Sequence, residues 1–65
     1  MGAKFNTGDY VEKTGGDYQY RGWVSCWFYK RSGAIRYVVE NADGMLFIFN
    51  ESQLAKATAP GVTNG

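Results

Sequence analysis

The stretch GMLFIFN, residues 44–50, decides the fold, because it is apolar at every position from 45 to 49. A β-strand directs successive side chains to opposite faces. One face then carries Leu46 and Ile48, and the opposite face carries Met45, Phe47 and Phe49. A chain of 65 residues has room for only one small core. One face must therefore line that core, and the other must meet something else.

The aliphatic face is the one we expect inside. Taken with the alternating positions elsewhere in the chain, it predicts a core of Val11, Val24, Val39, Leu46, Ile48 and Leu54. The face with Met45, Phe47 and Phe49 would then be exposed. At about 150–200 Å² per aromatic side chain it amounts to on the order of 300–400 Å², a size that often marks an interaction site.

The composition limits the chemistry that this chain can perform. It has 7 Lys and Arg, 6 Asp and Glu, no His and one Cys, and the net charge is +1. Without His, and with a single Cys, we expect no zinc site, no Ser-His or Cys-His catalysis and no disulfide within the chain. The near-neutral charge makes a nucleic-acid partner a weak expectation. Cys26 is predicted to be a small buried side chain.

The sequence shows no targeting signal, and it divides into three predicted segments. No run approaches the roughly 20 apolar residues of a membrane helix, and the N-terminus lacks the layout of a secretory signal. We therefore expect a cytoplasmic protein without a membrane partner. Residues 1–7 are predicted to be a flexible arm, residues 8–57 a barrel domain and residues 58–65 a disordered tail.

Short strands separated by turn residues predict an all-β fold. The predicted strands are Tyr10–Lys13, Arg21–Tyr29, Ala34–Glu40, residues 45–49 and Ala55–Ala57. In the second strand, Gly22, Val24, Cys26 and Phe28 are predicted to face the core, opposite Trp23, Ser25, Trp27 and Tyr29. Gly44 is expected in the left-handed conformation of a hairpin turn. One 3-10 turn beginning at Asn50 would place Leu54 on the core, which completes a small five-stranded SH3-like barrel.

Several spaced residues together resemble a known family. They are Gly8-Asp9-x-Val11-x-Lys13, Gly22-x-Val24-x-x-Trp27, Tyr37-x-Val39-Glu40, Gly44-x-x-x-Ile48-Phe49 and Leu54. This pattern is similar to the type II dihydrofolate reductases, which are small, plasmid-borne enzymes that confer trimethoprim resistance. The resemblance implies an SH3-like barrel and a homotetramer whose central pore holds NADPH and dihydrofolate. It also implies catalysis by proximity rather than by an acid or a base.

The resemblance assigns roles to positions of this chain. Ile48, Phe47 and Phe49 would take the catalytic positions, and Lys13, Ile48 and Met45 would contact the cofactor. Lys13 and Ile48 match the family, whereas Phe47 replaces a Gln, Phe49 a Tyr, Met45 a Ser and Asn50 a Pro. A Phe side chain offers no donor or acceptor for a desolvated ligand. Reductase activity is therefore expected to be weak or absent.

Three functions stay open from the sequence. The first is an assembly or binding module that forms a dimer or tetramer through Met45, Phe47, Phe49, Trp23 and Trp27. The second is the NADPH-dependent reduction of dihydrofolate. The third is single-stranded nucleic-acid binding on the aromatic residues Trp23, Trp27 and Tyr29, with charge from Lys30, Arg31 and Arg36.

Overall fold

Within residues 3–60, which the computed structural model describes, five antiparallel strands form one sheet. The strands are β1 (Tyr10–Lys13), β2 (Arg21–Tyr29), β3 (Ile35–Glu40), β4 (Leu46–Asn50) and β5 (Leu54–Lys56). Their order is β4-β3-β2-β1-β5, so β4 and β5 are the two edges. A 3-10 turn, Glu51–Gln53, joins β4 to β5. The all-β class, the five strands and the 3-10 turn are confirmed.

The connection between β3 and β4 is a tight hairpin held by Asn41. The Asn41 side-chain oxygen accepts the backbone N–H groups of Asp43 and Met45 at 2.9 and 3.0 Å. The Asn41 N–H donates to the Met45 carbonyl oxygen at 3.0 Å. Gly44 has a φ of +84°, the left-handed conformation that the sequence predicted and that suits glycine.

The core lies on one face of the sheet. Its buried side chains are Phe5, Val11, Tyr20, Val24, Tyr37, Val39, Phe49 and Leu54. Val11, Val24, Val39 and Leu54 are confirmed as core residues. Phe5 belongs to the segment that was predicted to be a flexible arm, yet its side chain is buried. Of the predicted tail, residues 58–60 lie outside regular secondary structure, and residues 61–65 lie outside the described residues.

The predicted orientation of β4 was wrong. Phe49 is 2% exposed and Phe47 is half-buried, whereas Leu46 and Ile48 are 60% and 50% exposed. Phe47 and Phe49 lie directly opposite Val39 and Tyr37 of β3, which point into the core. Their rings also pack on Tyr20, with centroids 4.5 and 5.3 Å away. An aromatic side chain buries more apolar area than an aliphatic one, so the orientation with Phe47 and Phe49 inward removes more apolar surface from water.

A β-bulge in β2 also reverses part of the predicted pattern. Val24 pairs with Val39 and Cys26 with Val38, which leaves Ser25 without a partner of its own in β3. An extra residue shifts the alternation of the strand that follows it. Beyond the bulge Trp27 therefore packs against the core. Cys26 and Phe28, which were predicted to face inward, are exposed instead.

Gly22 allows a close approach between β2 and the end of β3. A Cβ atom at this position would lie 2.2 Å from the carbonyl oxygen of Glu40, a backbone atom. Any side chain would push the two strands apart. Glycine is therefore required here by packing rather than by its φ angle.

The corrected orientation of β4 predicts unequal effects of truncating two neighbours. Phe49→Ala should lower the free energy of unfolding by about 3–5 kcal/mol, because it opens a cavity in the core. Ile48→Ala should lower it by less than about 1 kcal/mol, since half of that side chain is already in water. Denaturant unfolding at a low protein concentration measures both. Equal losses, or a larger loss for Ile48→Ala, would contradict the orientation.

Candidate functional site

The face of the sheet opposite the core, here called the outer face, carries exposed apolar side chains. Residues in register across β2, β3 and β4 form rows on it. One row is Cys26, Val38 and Ile48, and its neighbour is Trp23, Glu40 and Leu46. With Leu46 and Ile48 both largely exposed, the apolar part of the outer face extends to the β4 edge of the sheet.

The backbone of β4 is open on the side away from β3. Hydrogen-bonded positions alternate along an antiparallel pair, and Met45 accepts from Asn41 on the β3 side. Every second residue after Met45 therefore directs its main-chain groups to β3, and these residues are Phe47 and Phe49. The N–H and C=O groups of Leu46 and Ile48 therefore point outward. Among residues 3–60, nothing occupies the outward main-chain groups of these two residues, and their side chains are largely exposed.

The two edges of the sheet differ in how they are protected. Soluble proteins usually block an edge with charge, proline, a bulge or a very short strand. Edge β5 has only three residues, and its Lys56 lies 3.7 Å from Asp9 in an ion pair. Edge β4 reads LFIFN and has neither a charged residue nor a proline. Among the described residues, β4 is therefore the edge most open to strand pairing.

Tyr20 supports the start of β4 from the core side. Its hydroxyl lies 2.7 Å from the Met45 carbonyl oxygen and 2.8 Å from that of Val39, and it donates its proton between them. Burial raises the pKa of Tyr20, so the hydroxyl keeps its proton. The edge strand is thus anchored on its inner side by a ring and a hydrogen bond.

Of the five residues predicted to form an interaction face, only Met45 is largely exposed. Phe47 is half-buried and Phe49 is buried. Trp23 is half-buried against Tyr10, with ring centroids 4.9 Å apart. Trp27 is half-buried and meets Tyr29 edge to face at 5.5 Å. On β4 the exposed residues are instead Leu46 and Ile48, which the sequence reasoning placed in the core.

Lys13, a predicted cofactor contact, lies far from β4 in the sheet. Two strands, β2 and β3, separate it from Ile48. Its ammonium group lies 4.4 Å from the ring centroid of Tyr18 and donates to the carbonyl oxygen of Gly15. It lines a shallow polar pocket of about 410 Å³ with residues 15–19. A single chain therefore does not bring Lys13 and Ile48 together.

A polar cluster ties the N-terminal segment to the sheet. The Tyr37 hydroxyl donates to the Glu51 carboxylate and accepts the N–H of Lys4 at 2.9 Å. The Lys4 N–H also lies 2.9 Å from the same carboxylate. The hydrogen bond from Tyr37 lowers the pKa of Glu51, while burial raises the pKa of Tyr37. The cluster holds Phe5 in the core.

Across residues 3–60, no group of three or more His, Cys, Asp or Glu side chains is arranged to hold a metal ion. The same range contains no helix long and apolar enough to cross a membrane.

Comparison with known proteins adds no assignment. No family model matches the chain, and no curated protein or solved structure is significantly similar to it. The features of the chain that bear on its function are therefore the β4 edge and the outer face themselves.

The Glu51 cluster predicts a dependence of stability on acid. The folded-state pKa of Glu51 is lowered, so its contribution is present above the ordinary carboxyl pKa of about 4.3 and is lost as the pH falls through the folded value. Glu51→Gln, which keeps an acceptor for Tyr37, should lose less stability between about pH 6 and pH 3 than the parent protein.

Denaturant unfolding across that pH range is the measurement. Asp17→Asn is the control, since it removes a carboxylate from an exposed loop position. It should leave the acid loss of the parent protein nearly unchanged. If Glu51→Gln shows the same acid loss as the parent protein, the cluster does not hold the segment in the way described.

Proposed function

We propose that this chain is a small assembly module that associates with copies of itself through the β4 edge. The observation that carries the proposal is the combination found at Leu46 and Ile48. Their side chains are largely exposed, and their main-chain groups face away from the sheet. An apolar, uncharged edge strand of this kind is a template for pairing with another strand.

We also propose that each copy is an SH3-like barrel. The strand order supports this, because the last strand returns to pair with β1 rather than with its neighbour in sequence. The 3-10 turn at Glu51–Gln53 makes that crossing, and Leu54 enters the core directly after it. In the core, Phe5 packs on Tyr37 of β3, and Tyr20 packs on Phe47 and Phe49 of β4.

The free groups of β4 favour one register of self-pairing. With Leu46 opposite Ile48 of the second copy, and Phe47 on the two-fold axis, every outward N–H and C=O of these two residues finds a partner. The N–H of Asn50 is already bonded to the Gln53 side-chain oxygen at 2.8 Å, so the ladder ends before it. Four backbone hydrogen bonds result, each contributing about 0.5–1.5 kcal/mol net.

The same register also joins the apolar outer faces of the two copies. Leu46 of each copy would lie beside Ile48 of the other, which removes both from water. The interface is isologous, because one strand contributes the same surface on both sides. It is closed by its symmetry, so it produces a dimer at β4 rather than an open fibre.

The first test of self-association is the mass in solution. At micromolar concentration the parent chain should have at least twice its chain mass of 7.2 kDa by sedimentation or light scattering. Ile48→Lys should shift it to the monomer, because the lysine places charge at the centre of the paired edge. Gln19→Lys adds the same charge at an exposed loop position and should stay associated. A soluble parent protein that is monomeric under these conditions would refute the proposal.

A second pair of variants tests whether the contact is made by the main chain. Leu46→Pro removes an N–H that points away from β3, at the first position of an edge strand, where proline is tolerated. Leu46→Ala removes most of the side chain but keeps that N–H. Strand pairing predicts that the proline variant dissociates more than the alanine variant. Equal dissociation would indicate a contact between side chains only.

The second candidate function is dihydrofolate reduction of the type II kind. One observation favours it: Ile48, the position that the resemblance assigns to the ligands, lies on the exposed edge strand, where copies of the chain would meet. NADPH and dihydrofolate would then lie between copies. The chemistry is weakened by Phe47, which has no amide to bond a ligand, and by Phe49, which is buried in the core of its own chain.

Reductase activity is therefore expected to be absent or far below that of the family it resembles. NADPH oxidation is measured with and without dihydrofolate, in the presence of trimethoprim to silence host enzyme. Phe47→Gln restores an amide at a half-buried position and should raise any turnover, with Phe47→Leu as its apolar control. Robust turnover by the parent protein would reverse the order of the two candidates.

A further inference from the structure

The basic residues of this chain are unevenly distributed. Residues 18–39 contain four of the seven Lys and Arg residues and none of the six Asp and Glu residues. These residues include β2, the turn that follows it and β3 up to Val39, whereas the last residue of β3 is the acidic Glu40. The modest net charge of the whole chain therefore conceals a segment that carries only basic charges.

Three of these four cations lie together at one end. Arg21 is at the other end of β2 and pairs with Glu12 at 3.5 Å. Lys30 and Arg31 are exposed in the turn, which is closed by the Lys30 N–H donating to the Ala34 carbonyl oxygen at 2.7 Å. Arg36 follows in β3. We call residues 26–36 the hairpin end. No ion pair is formed by its cations within the part of the chain that the structure describes.

Arg36 is the least satisfied of the three. It lies opposite Phe28 on one side and Asn50 on the other. Its Nε atom is buried and has no hydrogen-bond partner among the described residues. An unpaired charged donor of this kind costs free energy. The buried Nε is out of reach of a ligand, but the two terminal Nη groups are not among the buried unpartnered atoms. A phosphate group would accept from these two groups with two parallel hydrogen bonds.

Aromatic rings accompany these charges on both sides of the hairpin end. Phe28 is 40% exposed on the outer face, directly across from Arg36. Tyr29 is exposed on the other side and rests edge to face on Trp27. Exposed rings beside cations are the combination that holds single-stranded nucleic acid, since bases stack on the rings and phosphates bind the cations.

The hairpin end is also accessible. Strand β1 and the residues before it bond to β2 only as far as Val24. Beyond the bulge at Ser25, one side of β2 has no neighbouring strand within residues 3–60. The hairpin end therefore projects past β1, which leaves space for an extended chain to pass along it.

We propose that the hairpin end binds single-stranded nucleic acid without strong sequence preference. Phe28 and Tyr29 stack on bases, and Lys30, Arg31 and Arg36 bind phosphates. An acidic peptide would use the charges but would leave the two exposed rings without a matching surface, so nucleic acid fits better. The binding surface and the β4 edge are different, so this proposal does not rest on self-association.

The experiment measures fluorescence anisotropy of labelled single-stranded DNA and RNA of about 15 nucleotides, titrated with the full chain. Three phosphate contacts predict that log affinity falls with log salt with a slope of roughly −2, at about 0.7 per contact. Duplex DNA of the same length should bind more weakly, because its bases are not free to stack.

Variants locate the site. Lys30→Gln with Arg31→Gln should weaken binding about tenfold or more at low salt. The matched control, Lys4→Gln with Lys56→Gln, removes the same charge outside the hairpin end and should change it about twofold or less. Phe28→Leu keeps an apolar side chain but removes the ring, and it should also weaken binding about tenfold.

Several outcomes would overturn the proposal. One is the absence of binding at about 50 mM salt. An equal loss of affinity in the two double variants would indicate attraction to the whole chain rather than to the hairpin end. Duplex bound as tightly as single strands, with Phe28→Leu unchanged, would indicate plain phosphate attraction. Retention by anionic lipid vesicles, with no nucleic-acid binding, would assign the charges to a membrane surface.

Discussion

The register of β4 against β3 is the constraint on which the rest of this small structure depends. Because side chains alternate with a period of two, a shift of one residue would exchange the inner and outer faces of the whole strand. The register is fixed at the turn. There the Asn41 side-chain oxygen accepts the N–H groups of Asp43 and Met45, and Gly44 adopts a left-handed conformation. Tyr20 fixes the carbonyl of Met45, immediately before the strand, from the core side. Phe47 and Phe49 then point inward, and Leu46 and Ile48 are left in solvent.

The sequence alone was sufficient to predict the five strands and the hairpin turn between β3 and β4, because turn chemistry and strand alternation are local. It was not sufficient to orient β4, since that strand is apolar on both faces and alternation alone cannot choose between them. The choice depends on Val39 and Tyr37, which lie opposite and already face the core. Nor does alternation reveal the bulge at Ser25, which comes from pairing with β3 and exposes Cys26.

The candidate site was predictable only in part, for a related reason. The sequence placed an apolar interaction surface on β4, and an apolar surface is present there, but with Leu46 and Ile48 instead of Phe47 and Phe49. That β4 is an edge follows from the strand order, to which no single stretch of sequence corresponds. The sequence showed the three basic residues of the hairpin end. Only the structure showed that the Nε of Arg36 is buried without a partner among the described residues. The two surfaces lie on different parts of one sheet, so the proposed association at β4 would leave the hairpin end free.

Hydrogen exchange of individual β4 amides, followed by NMR as the protein concentration is raised, tests whether β4 pairs with β3 on one side and with a second copy on the other. The amides of Phe47 and Phe49 should be protected at every concentration, because they bond to β3. The amides of Leu46 and Ile48 should exchange quickly in the monomer and become protected only as copies associate. Protection of Leu46 and Ile48 that does not depend on concentration, or rapid exchange at Phe47 and Phe49, would contradict this pairing.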